Sequence, residues 1–391
     1  MESLVKRELL SRRVRAVKPS GIRKFFDIAA SMPDVISLGV GEPDFVTPEN
    51  IRQAGIASIQ RGDTHYTSNY GTLELRQAIA DLIERRYGVT YDPRSEVMVT
   101  VGVSEGIDAA MRALLDEGDE VVTPDPGYVA YEADVVFAGG KVVPVPTAVE
   151  DQFEVKASAI EAVLTPRTKV ILLGNPNNPT GAVIGREELE KIGKLAVEHD
   201  LVVLSDEVYS RLVYGEEHVS IAALPGMRER TILVDGFSKA YAMTGWRVGY
   251  VCAPTHILEA MLKVHQYAIM CAPTMSQAAA LEALLHGEEH VRAMVASYNE
   301  RRTLIVDGFN RIGLTCYEPR GAFYAFPSIA RTGMTSDDFA ETLLYEERVA
   351  VVPGSAFGTA GEGYVRCTYC TAHDKIEEAL TRIGRFVQKH S

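Results

Sequence analysis

The sequence predicts an α/β protein whose core is a largely parallel sheet covered by helices on both faces. Three observations point there. Short, wholly apolar runs recur through the middle of the chain, segments of helical period separate them, and the unusual polar residues sit directly after the apolar runs. In order, LELRQAIADLIERRY (73–87) spaces its apolar residues for a helix, and EVMVTV (96–101) is a β-branched strand. GIDAAMRALL (106–115) is again helical, and EVVTP (120–124) and KVVPVP (141–146) are strands. KVILLG (169–174), the helical REELEKIGKLAVEHD (186–200), LVVLSD (201–206) and TILVDG (231–236) continue the alternation. The tail changes character. AFYAFPSI (322–329), AVVPG (350–354) and YVRCTYC (364–370) read as strands between helices and suggest a second domain.

The 391 residues allow two domains at roughly 150 residues each. With 46% hydrophobic and 24% charged residues, disordered and fibrous readings fall away. A net charge of −13 repels a phosphate backbone or an anionic membrane. The most basic stretch, 6–24, is short and has Glu8 within it and Asp27 close behind. Nucleic-acid and membrane binding are therefore not expected. Five cysteines form no disulfide framework, the start MESLVKRELLSRR lacks a signal-peptide core, and no window nears the ~18 apolar residues of a membrane span. The expectation is a cytoplasmic protein acting on small molecules.

Ligands of such sheets bind outside the carboxyl ends of the strands, so the loops at 102–106, 124–128, 175–181, 206–209 and 236–247 carry the chemistry. GVSEG (102–106) matches the strand–turn–helix nucleophile elbow of a serine hydrolase, with Ser104 as nucleophile, Asp206 or Asp235 as acid, and His265, His286 or His373 as base. No local motif ties those residues together. The competing reading is a helix N-terminus that holds an anion with its free amides. HGEEH (286–290) has zinc-like His spacing, but Gly287 stands where a zincin needs Glu, and an exposed acidic helix end accounts for it. Cys367 and Cys370, three apart in a strand, point to opposite faces. No metal site is expected.

NPNNPTG (175–181) reads alone as a turn. Asp206 ends a wholly apolar run, and Tyr209 follows three residues later. SKAYAMTGWRVGY (238–250) sets Lys239 in a small-residue turn with Arg247 eight residues on. Each is unremarkable singly. Together, at carboxyl-end loops of one sheet, they supply what pyridoxal phosphate (PLP) requires. The lysine offers an amine for the aldehyde and the aspartate a carboxylate for the ring nitrogen. A phenol and an amide suit the ring oxygen, while an arginine and a helix N-terminus suit the phosphate.

LGVGEPDFVTP (38–48), HYTSNYGTLELRQAIA, NPNNPTG, SDEVY, GFSKAYAMTGWRVGY, GAFYAFP and VVPGSAFG occur in the order found in the class I/II aminotransferases of PLP fold type I, and the chain resembles that family over nine-tenths of its length. The resemblance implies a PLP enzyme whose large domain holds a mostly parallel seven-stranded sheet between helices. A smaller α/β domain would be assembled from both chain ends: an arm at 1–47, a large PLP-binding domain at 48–290 and a small domain at 291–391. It implies that Lys239 binds the cofactor covalently and then shuttles a proton between Cα and C4′, and that Asp206 keeps the pyridine nitrogen protonated. Tyr209 and Asn178 would bond the 3′ oxygen, and Tyr128 would stack on the ring. Val103, Ser104, Ser238 and Arg247 would bind the phosphate, turning GVSEG into an anion cradle. Arg366 would grip the substrate α-carboxylate, assisted by Gly41 and Asn178. Tyr66 would cross a homodimer interface to the neighbour's phosphate, making each site composite.

Two departures stand out. Gly236 replaces a phosphate-binding serine found in some branches, a loss Ser238 can offset, and DPGYVAY carries a glycine where several relatives have a larger residue. Within the family, SGIRKFF, KVHQY and FPSIARTGMTSDDF look most like enzymes for N-acetyl-diaminopimelate, and the same branch contains aspartate and aromatic aminotransferases. Arg23 is a candidate for an acidic side chain, equally readable as a solvated helix charge. Glutamate/2-oxoglutarate is the implied second pair in a ping-pong reaction. A PLP lyase on the same scaffold is the nearest alternative.

Overall fold

The apolar runs are strands, and they line up as one sheet. The structure is a computed structural model describing residues 8–19 and 32–391. A short β1 (Ile36–Ser37) precedes β2 (Val97–Thr100), β3 (Glu120–Asp125), β4 (Lys141–Pro146), β5 (Thr168–Gly174), β6 (Val202–Asp206), β7 (Thr231–Gly236) and β8 (Gly249–Cys252). The last seven form a sheet of order β2-β8-β7-β6-β5-β3-β4. All are parallel except β8, which runs antiparallel to β2 and β7.

The period of two along each strand explains why the runs are apolar throughout. Val170 and Leu172 of β5 join one core with Val121, Leu204, Ile232 and the helix residues Ile107, Met111 and Leu258. Ile171 and Leu173 point the other way, into a core with Val122, Val203, Leu189 and Ile192. Helices cover both faces, so neither set meets water.

β9 (Tyr324–Ala325), β10 (Val349–Ala350), β11 (Val352–Pro353) and β12 (Val365–Thr368) belong to the C-terminal part. β11, β12 and β9 form an antiparallel sheet, while β10 pairs in parallel with β1. The residues just before the site segment at 39–41 are therefore stitched to the C-terminal part, Ile36 pairing with Val349 although 313 positions separate them.

The sequence reading differs from the structure at several elements: AFYAFPSI is a strand only at Tyr324–Ala325, and AVVPG is divided between β10 and β11, which belong to different sheets. The helix expected from 106 begins at Gly102, because the Glu105 carboxylate turns back to accept the Val101 N–H at 3.1 Å and stabilises an earlier first turn. β8 was not anticipated, being four residues long and directly behind the lysine loop. Cys370 lies two residues beyond β12, and both it and Cys367 are buried free thiols. Among the described residues, no group of three His, Cys, Asp or Glu side chains could hold a metal, and no helix is long and apolar enough to cross a membrane.

Candidate active site

Because the parallel strands end along one sheet edge, the loops that follow them converge there. They enclose a cavity of about 500 Å³, closed from the other side by Gly41, Tyr324 and Arg366. Eleven expected residues line it: Gly41, Val103, Ser104, Tyr128, Asn178, Asp206, Tyr209, Ser238, Lys239, Arg247 and Arg366. Tyr66 does not. Its side chain is 79% exposed on this chain. Arg23 lies outside the described residues.

Asp206 ends β6 and is only 6% exposed. Its Oδ2 accepts the Tyr131 hydroxyl at 2.7 Å and its Oδ1 the Val208 N–H at 3.2 Å. Burial pushes the carboxyl up to about 6, against those two hydrogen bonds and the charge of Lys239, which favour the ionised form. A buried carboxylate with a cation-facing cavity beside it fits a protonated ring nitrogen.

Lys239 stands on the short helix Phe237–Ala240 after β7. Its Nζ donates to the Gly41 carbonyl at 2.7 Å. Desolvation brings the amine down to about 8, so a neutral, nucleophilic fraction exists near neutral pH.

At the opposite wall, Arg366 of β12 is 3% exposed. Nη1 donates to Asn178 Oδ1 at 2.9 Å and Nη2 to the Gly39 carbonyl at 2.6 Å, while Nε is buried without a partner among the described residues. The guanidinium lies 4.5 Å from the Tyr324 ring and 4.8 Å from the Phe357 ring. An orphaned guanidinium donor in a closed wall is a place for a carboxylate oxygen.

The anion end is the N-terminus of the helix Gly102–Leu114. Gly102 has φ +76, and a Cβ there would sit 2.6 Å from Arg247 Nη2, so only glycine lets that guanidinium lie against the helix start. Val103, Ser104 and Ser238 line the same cavity. Amides, hydroxyls and a cation together suit a phosphate.

Two tyrosines escaped the sequence reading. Tyr131 bonds Asp206, and Tyr324 shares a 2.7 Å hydrogen bond between hydroxyls with Tyr209. Tyr131 follows Tyr128 by one helical turn and Tyr324 sits in the quoted GAFYAFP, but nothing local says what either phenol meets. The hydrolase constellation is not assembled. His265, His286 and His373 pair with Glu105, Glu282 and Glu377, not with Ser104. HGEEH is split between two helices, Thr274–His286 and Glu288–Arg311.

Behind the cavity, Glu207 Oε1 accepts the Ser205 and Ser220 hydroxyls at 3.0 and 2.7 Å. His218 Nε2 faces the Asn175 carbonyl at 3.0 Å, which makes it the donor, and Nδ1 accepts the Tyr87 hydroxyl at 2.8 Å. Burial raises the Glu207 carboxyl to about 8 from an ordinary 4.5. An acid raised in this way favours the folded state most below its unfolded value, and that advantage is lost as pH climbs through about 8. Glu207→Gln removes the titration, so its melting temperature relative to the parent should rise steadily between pH 5 and pH 8. A constant difference in thermal melts across that range would show that Glu207 does not titrate there.

The model of the family "Aminotransferase class I and II" matches residues 33–383. A putative aminotransferase, YugH, of Bacillus subtilis is 54% identical, over 97% of this chain and 98% of its own. An aspartate aminotransferase of Pyrococcus abyssi is 47% identical over 97% of this chain and 98% of its own. Among solved structures, an aromatic aminotransferase from Pyrococcus horikoshii superposes with a TM-score of 0.90 at 46% identity, covering 94% of this chain and 99% of that one. With a sheet, a cavity and a profile that agree, the chain belongs to the class I and II aminotransferases of fold type I.

Proposed function

We propose that the chain binds pyridoxal 5′-phosphate and moves an amino group between an L-amino acid and a 2-oxo acid in ping-pong order, with glutamate/2-oxoglutarate as one pair. The observation that carries this reading is the buried Lys239 amine, lowered to about 8, in one cavity with Asp206 and Arg366. When bound, the cofactor supplies an aldehyde that condenses with amines and a protonated ring that withdraws electrons.

In this reading the chain does the rest. Arg366 receives the α-carboxylate on its free Nε edge, and Asn178, already bonded to Arg366, assists it together with the Gly41 backbone. Lys239 takes the proton from substrate Cα and returns it at C4′. Asp206, supported by Tyr131, holds a proton on the ring nitrogen. Tyr209 and Asn178 bond the ring oxygen, Tyr128 stacks on the ring, and Arg247 with Val103, Ser104 and Ser238 holds the phosphate. Tyr128, Tyr209 and Tyr324 supply aromatic walls around the proton path.

The amine predicts a pH dependence. Lys239 is neutral above about 8 and charged below it, so condensation of the cofactor-free protein with a carbonyl probe should rise through pH 8. A midpoint at the ordinary lysine value of 10.5 would contradict the desolvated site.

The substrate side chain is acidic, aromatic or like that of N-acetyl-diaminopimelate. A panel of amino donors against 2-oxoglutarate, read by product formation and by the change in cofactor absorbance, tests it. A protein that stays colourless after incubation with the cofactor sinks the whole proposal. We further propose a division at 1–47, 48–290 and 291–391, supported by the β1–β10 pairing, and a homodimer in which the exposed Tyr66 reaches the neighbour's phosphate. Light scattering reads the assembly, and a fully active monomer would remove the composite site.

A further inference from the structure

Asp125, the last residue of β3, is a buried carboxylate to which neither the sequence pattern nor the chemistry above gives a task. It has company of an unusual kind. Its Oδ2 accepts the Thr359 hydroxyl at 2.9 Å, and both its oxygens lie 3.3 Å from the Ala360 N–H. The donors come from the loop between β11 and β12, more than 230 positions later. Gly358 has φ +133, and a Cβ there would collide with the Asp125 carboxylate, so a glycine is what allows the loop to come this close. Two residues after Asp125, the Gly127 N–H donates to the Phe357 carbonyl at 2.9 Å, which doubles the connection.

What the connection carries is Phe357. Its ring is 5% exposed and lies 4.8 Å from the Arg366 guanidinium. Three residues after Asp125, next to Gly127, is Tyr128 on the cavity wall. One carboxylate therefore ties the wall that bears Tyr128 to the loop that backs Arg366. Among the described residues, Arg366 itself is held by single hydrogen bonds at Nη1 and Nη2 and by aromatic contact, and its Nε is unpartnered. Without the ring behind it, the fork has room to turn away from the cavity.

We infer that Asp125 is a positioning residue for substrate binding, latching the loop at 354–361 so that Phe357 keeps the Arg366 fork aimed at the α-carboxylate. The inference rests on the reading of Arg366 as the carboxylate grip. It separates binding of substrate from binding of cofactor, because Asp125 touches none of the groups assigned to the phosphate or the ring.

The test uses the cofactor-loaded enzyme with its best amino donor and 2-oxoglutarate. Charged-acceptor hydrogen bonds of this kind imply that Asp125→Ala raises KM for both substrates about tenfold. Turnover at saturation and the cofactor absorption band should stay as in the parent. Asp125→Asn, which keeps one acceptor oxygen, should recover part of the loss, and Thr359→Val, which removes one donor, should raise KM by a smaller factor. If Asp125→Ala fails to fold, Thr359→Val and Asp125→Asn carry the test. Combined with Arg366→Lys, the Asp125 change should add little further, since both act through one fork. Unchanged KM in these variants, or a loss confined to melting temperature, overturns the latch while leaving Arg366 in its role. If Arg366→Lys leaves KM unchanged, the Arg366 reading fails, and a KM effect at Asp125 would then overturn the latch as described, since it would act through another group.

Discussion

Lys239→Ala should reduce transamination turnover on the order of 10⁴-fold, the upper range for a positioned proton-transfer group, because it also removes the covalent attachment point. Arg247, Ser104 and Ser238, the residues proposed to hold the phosphate, are untouched, so the variant should still take up cofactor. The two effects separate cleanly. Borohydride reduction followed by denaturation should leave cofactor on the parent and none on the variant, while gel filtration without denaturation should show cofactor on both. Small primary amines should restore a fraction of the turnover by supplying a mobile base. Full turnover in Lys239→Ala would end the aminotransferase mechanism proposed for this site.

The second large effect belongs to Arg366→Lys. The charge survives, yet the planar fork that bonds Asn178 and Gly39 while leaving Nε for the substrate does not. Losing directional hydrogen bonds to a carboxylate should raise KM about 10²-fold, or ~3 kcal/mol. The increase should appear for the amino acid and the oxo acid alike, because both present the same α-carboxylate. Steady-state kinetics with each substrate varied in turn measures it. An effect on one substrate only would assign Arg366 to a side chain instead. The lysine variant also leaves Tyr324 and Phe357 without the flat cation they contact, so some loss of thermal stability should accompany it.

A net charge of −13 makes the cavity a local exception. Among its lining residues, Lys239, Arg247 and Arg366 face a single carboxylate, Asp206. A phosphate and α-carboxylates are the anions such a pocket would collect from solution.

Much of this was legible without coordinates. Lys239, Asp206, Tyr209, Asn178 and Arg247 stand at or soon after the ends of apolar runs, and a parallel sheet must bring those ends to one edge. The apolar runs were legible because a sheet covered on both faces has no polar side to show. The helix boundary at Gly102 was not, since it depended on Glu105 turning back on Val101. β8 was hidden for a similar reason: its direction is set by the two strands it lies between, not by its four residues.

The sequence by itself determined the alternation of most strands and helices in the middle of the chain and the polar and cationic residues collected at one sheet edge. Tertiary structure alone decided which polar groups meet: Tyr131 with Asp206, Tyr324 with Tyr209, the Gly39 carbonyl with Arg366, and Thr359 with Asp125. The physical reason is separation along the chain. These partners stand 75, 115, 327 and 234 positions apart, and a hydrogen bond needs about 3 Å, so only tertiary packing can choose them: the helix Ala130–Ala138 against the sheet for the first pair, and the C-terminal part against the sheet edge and the segment at 39–41 for the other three.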